Sequence, residues 1–208
     1  MSTDAIPRMA TVDVYWIPLG AGQHVVRASG KIFEALSAFV QRRSRCDLYH
    51  SALAVTVAEG RFVIEMTPVP DANGARRGVV AGGAVGSRWL GHLRVFRYEI
   101  RCWQDGTIPD ISESASSVSI RVDQSIGNQL LDLVPSVPTA VWGRDELDAG
   151  EMWNSNSVTS WLLTPSGLNL GKLGPPRGGR APGWDAGIVV SRRQSGSGGL
   201  PIDAETVR

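Results

Sequence analysis

Cysteine is nearly absent from this chain, which has Cys46 and Cys102 and no others. Two thiols cannot make a thiolate zinc site by themselves, and they give no disulfide framework, so stability has to come from a packed core. Histidine is also scarce. His24 and His92 sit beside glycines, with no cysteine or carboxylate at ligand spacing, so no metal site is expected. Charge of one sign is not in excess: 21 basic residues against 20 acidic ones leave a net charge of +1. That balance gives no electrostatic footprint for nucleic acid. The cluster Arg42, Arg43, Arg45 reads as the solvated end of a helix. No apolar run approaches the roughly 18 residues of a membrane helix, so no transmembrane segment is expected. The first residues lack both the apolar centre of a secretory signal and the basic pattern of a transit peptide, which makes a cytoplasmic location the expectation.

What remains is the composition of an ordinary globular protein, 42% hydrophobic and 20% charged over 208 residues. That length suits one core, and the expected layout is a tail at 1–8, a single domain at 9–193 and a flexible tail at 194–208. Residues 11–19 are β-branched and aromatic and stop at proline and glycine, the pattern of a strand. Residues 31–43 place Ile32, Leu36, Phe39 and Val40 on one helical face. Two apolar stretches, 48–57 and 61–66, flank Ala58-Glu59-Gly60 and read as an antiparallel hairpin. The Gly- and Ala-rich stretch 71–86 reads as a loop and 93–103 as a strand. Asp123 has the character of an N-cap for a helix carrying Ile126, Leu130, Leu131 and Val134. A second helix begins near Ser155 and stops at Pro165. A long loop follows over 167–183, with an edge strand at 187–191. The fold class is therefore α+β.

Three residues have the makings of an active site. His50 starts an apolar strand, where an imidazole at a sheet rim can serve as a base near neutral pH. Glu65 lies inside the apolar run Phe62-Val63-Ile64-Glu65-Met66 and needs a partner if it faces inward. Ser155 stands at a helix start, where unpaired N–H groups stabilise a developing anion. The same Asn154-Ser155-Asn156-Ser157 run is also a set of good capping residues. Trp142, Trp153 and Trp161 crowd this stretch, either walling a groove or packing the helix, with packing favoured for Trp161. Cys46 follows Arg42-Arg43-Ser44-Arg45 with no helix start beside it, and reads as structural.

The order of these segments resembles the circularly permuted papain-like families, including lecithin:retinol acyltransferase and the phospholipase A/acyltransferase group. The matching stretches are His50 to Val55, Arg61 to Pro68 and Trp153 to Leu162, within about residues 48 to 165. The resemblance implies a papain-like fold with a small antiparallel sheet packed against helices. It also implies a catalytic triad of Ser155 as nucleophile, His50 as base and Glu65 as orienting acid. Oxyanion and substrate contacts would come from Asn154, Asn156 and Trp153, and no cofactor would be needed. Serine stands where those families have cysteine, and a hydroxyl is the poorer nucleophile at neutral pH. The function expected first is a hydrolase or acyltransferase working on an amide or ester through an acyl-serine; the alternative is an inactive module that binds a peptide, lipid or glycan in the inherited cleft. The substrate class and the oligomeric state are not legible.

Overall fold

A computed structural model describes residues 9–19, 47–69, 78–108 and 116–196. Six strands form one antiparallel sheet: β1 (Met9–Pro18), β2 (Tyr49–Val57), β3 (Gly60–Pro68), β4 (Val79–Ala84), β5 (Arg97–Gln104) and β6 (Ser116–Asp123). Their spatial order is β4-β5-β3-β2-β1-β6. Among the described residues, three α-helices follow the sheet in sequence, α1 (Gln124–Leu133), α2 (Ser155–Leu163) and α3 (Trp184–Gly196). The α+β expectation holds at this level. The helix expected at 31–43, the tail at 1–8 and Cys46 lie outside the described residues.

The central strand β2 is apolar on both sides because both of its faces are covered. Tyr49, Leu53, Val55 and Val57 join Val12, Val14 and Trp16 of β1 in the main core, with Val158, Trp161, Leu162 and Leu163 of α2 and Leu130 of α1 on top. Ala52 and Ala54 face the other way, into a smaller cluster with Ile17, Val63 and Ile108. This period of two decides which β2 side chains can meet α2.

The β2–β3 hairpin turns at Ala58-Glu59, as its sequence predicts, but its ladder runs only from Val57↔Gly60 to Leu53↔Ile64. Past Ile64, β3 continues against β5, pairing Glu65 with Arg101 and Thr67 with Glu99. The start of β2 gains a different neighbour: Arg180 bridges to Leu48, and the Tyr49 N–H donates to Arg180 O at 2.9 Å.

Four sequence expectations are corrected. Residues 187–191 are part of α3, not an edge strand, because Gly187 lies against the backbone of α2 and the helix runs on past this apolar run. Gln194 belongs to the same helix rather than to a tail, and its Oε1 accepts from Trp161 Nε1 at 2.8 Å. Within 71–86, residues Val79–Ala84 form the edge strand β4, held to β5 by main-chain pairing despite its small side chains. The strand expected from 93 begins at Arg97, after two 3₁₀ turns at Trp89–His92 and Arg94–Phe96. Asp123 does occupy the N-cap of α1, although its side chain makes no cap hydrogen bond.

Candidate functional site

Helix α2 starts where its sequence suggests, and its first turn is closed by its own side chains. Asn154 Oδ1 accepts from the N–H groups of Asn156 and Ser157 at 2.9 and 3.3 Å, while Ser157 Oγ accepts from Asn154 N at 3.1 Å. This reciprocal pair is a capping box, and it occupies two of the free N–H groups that an anion would need. The two asparagine amides are committed as well. Asn154 Nδ2 donates to Pro182 O at 2.8 Å, and Asn156 Nδ2 donates to both Pro182 O and Tyr49 O at 2.9 Å.

The last bond explains how the sheet tolerates the departure of β3. N–H and C=O of one strand residue point the same way, so both polar groups of Tyr49 face the side that β3 leaves. Arg180 O satisfies the first and Asn156 Nδ2 the second. Asn154 and Asn156, expected to line an oxyanion pocket, thus act as a clasp joining α2, β2 and the 180–183 segment. Trp153, expected to touch substrate, is 1% exposed and packs in the main core. Trp161 packs there too, as expected, and Trp142 lies edge-on to Tyr98 with ring centroids 5.8 Å apart.

His50 and Ser155 are not brought together. Ser51 faces α2, since its Oγ donates to Thr159 Oγ1 at 2.9 Å. Its neighbour His50 therefore points through the opposite face, level with Ile17 of the smaller cluster. Ser155 is 5% exposed at the first turn of α2, on the main-core side. Among the described residues its hydroxyl has no hydrogen-bond partner, and no hydrogen bond or ion pair joins His50 to Ser155 or to Glu65. The expected base and nucleophile stand on two sides of one sheet.

Glu65 shares the face of His50, but the β2–β3 ladder ends at Leu53↔Ile64 before it reaches either residue, and the partner of Glu65 is Arg101. Arg101 Nη1 lies 3.7 Å from Glu65 Oε1, and Nη2 lies 3.0 Å from Glu99 Oε2. Glu65 is 7% exposed, and its Oε1 has no hydrogen bond. Burial raises its pKa above the ordinary carboxylate range, and Arg101 offsets only part of that rise. A raised folded pKa favours the protonated form. This contribution is therefore fully present below the ordinary carboxylate pKa and is lost as pH climbs through the raised value. Glu65→Gln is expected to match the parent protein in acid and to melt a few degrees higher at neutral pH, because Glu99 still pairs Arg101. Thermal unfolding across that pH range checks this, and parallel curves for the two proteins would exclude it.

An open cleft of about 640 Å³ lies at the far end of α2, between the 164–174 loop and α3. Asn169, Trp184, Asp185 and Arg192 line it. The nine residues of α2 put this cleft about 13 Å along the helix from Ser155. Among the described residues no group of three or more His, Cys, Asp or Glu side chains comes together to hold a metal ion. No described helix is long and apolar enough to cross a membrane.

A scan against protein-family models finds no match. Searches of curated proteins and of solved structures find none either.

Proposed function

We propose that this chain is a non-catalytic binding module on a scaffold of the permuted papain-like kind. The order of parts supports the scaffold: the β2–β3 hairpin comes early, and a late helix opening Asn-Ser-Asn-Ser has its first turn against the start of β2. The absence of catalysis rests on one observation, the sheet that separates His50 from Ser155. A general base must come within about 3 Å of the proton it removes, or reach it through one water. A side chain on the opposite face of a packed sheet does neither. The capping box and the asparagine clasp support the same reading, since they use the groups that an acyl-enzyme would need for its oxyanion.

The ligand classes of this reading are a peptide, a lipid or a glycan. Within them the cleft beside α3 favours a peptide or glycan, because Asp185, Arg192 and Asn169 give it hydrogen-bonding groups of both signs beside the indole of Trp184.

A fluorophosphonate probe tests the proposal. The folded protein is expected to remain unlabelled, and Ser155→Ala is expected to change stability by less than about 0.5 kcal/mol, since its hydroxyl holds no partner. Labelling that vanishes in both Ser155→Ala and His50→Ala would restore the acyl-serine mechanism and overturn the proposal.

A further inference from the structure

Helix α3 turns one stripe of side chains into the cleft beside it. Asp185, Ile188 and Arg192 stand at i, i+3 and i+7, so they share a helix face, and all three line the cleft. Asp185 and Arg192 are both exposed, and among the described residues neither side chain takes part in a hydrogen bond or an ion pair. Arg193, one position on, is different: its guanidinium donates to Leu147 O and Asp148 O at 3.1 Å. Nor do Asp185 and Arg192 satisfy each other, because seven residues of helix set them about 10.5 Å apart along the axis. A carboxylate and a guanidinium thus face one cleft on either side of the aliphatic Ile188, and both are available to a ligand.

The facing wall is open main chain. Gly167 and Gly174 lie on it, and a Cβ added at either would meet nothing within 4 Å. A sugar ring finds little to stack on, since Trp184 is only 9% exposed and its ring lies against Trp16 with centroids 5.2 Å apart. A neutral glycan would also leave both charges of α3 unpaired, whereas a ligand with an ammonium at one end and a carboxylate at the other pairs both. An extended chain advances about 3.4 Å per residue, so about three residues bridge the two charges and a free amino acid falls short. The volume of about 640 Å³ lies within the range of roughly 300–1,000 Å³ usual for sites that take ligands of this size. From these features we infer that the cleft by α3 holds a linear peptide of about three residues with both ends free. Its ammonium pairs with Asp185, its carboxylate with Arg192, and its middle side chain lies against Ile188. The inference rests on the binding-module reading and narrows its ligand.

Isothermal titration of the full chain with the tripeptide Ala-Leu-Ala tests it. The free tripeptide is expected to bind, and N-acetylation or C-amidation is each expected to weaken binding about tenfold by removing one charge-assisted contact. Asp185→Asn should bind the free and acetylated forms alike while still rejecting the amide, and Arg192→Gln should do the reverse. Melting temperatures of both variants should stay close to that of the parent, because both side chains are exposed. Absence of binding by the free tripeptide overturns the inference, and so does equal binding of the free and doubly blocked forms. Acetyl discrimination that persists in a folded Asp185→Asn protein overturns the assigned orientation. Binding of cellotriose in place of the tripeptide would overturn the inference and leave the binding-module reading standing, whereas that reading fails separately, through fluorophosphonate labelling of Ser155.

Discussion

Gly187→Ala is expected to destabilise the protein by about 3 kcal/mol. Gly187 sits in α3 where that helix crosses α2, and a Cβ added there would lie 2.8 Å from the backbone N of Trp161. Ser157 O and Ser160 Oγ would be closer still. Two of these three atoms are main chain inside a buried helix, so relief requires the helices to part rather than a rotamer to turn. Separation would break Ser160 Oγ to Trp184 O at 2.6 Å and expose the face that α2 and α3 share. Alanine's better helix propensity returns only about 1 kcal/mol. Urea denaturation measures the difference, and a loss under about 1 kcal/mol would show that the two helices are not in the contact described.

Asn156→Ala should cost about 3 kcal/mol, because two buried carbonyls lose a donor together. The substitution also separates the two possible roles of this residue. A clasp that closes the free side of β2 is lost as stability, with earlier hydrogen exchange in β2 and the 180–183 segment. An oxyanion donor would leave the melting temperature almost unchanged. Asn156→Asp serves as a companion, since it keeps the size of the side chain but presents oxygen to Pro182 O and Tyr49 O, and it should be no better than alanine. Near-parental stability in both variants would refute the clasp.

Much of the fold was legible because local pattern and tertiary role agree. Residues 11–19 and the hairpin around Ala58-Glu59 have strand composition and turn chemistry, and α1 and α2 carry apolar stripes between a cap and a proline. β6 was missed although Val118, Ile120 and Val122 alternate with Ser117, Ser119 and Arg121, a half-buried edge pattern visible in the sequence. β4 gave no such signal, since Gly82 and Gly83 contribute only main chain to the ladder. The run Gly187-Ile188-Val189-Val190 reads as a strand because a short apolar run has no period of its own, and contact with α2 decides the matter.

The candidate site was legible in its parts and not in its arrangement. The capping character of Asn154 and Ser157 is local, and both do what such residues do at a helix start. The side to which His50 points is not local information. β2 is buried on both faces, so residues 51–55 show no alternation of polar and apolar that would mark the helix-covered side. Only the placement of α2 breaks that tie, and it depends on contacts made from about one hundred residues away.

The missing side of β2 also bears on how the molecule is made. Its N-terminal end is completed by residues 156 and 180, and β1 acquires its outer neighbour only when Asp123 reaches Met9. During synthesis, a nascent chain that has emerged only as far as α1 therefore presents an apolar sheet surface that α1 covers only in part, with an open edge on β2, the form most prone to aggregate or to recruit a chaperone. Ribosome-bound fragments ending before residue 153 should stay protease-sensitive, and resistance should arrive in one step once α3 has cleared the exit tunnel.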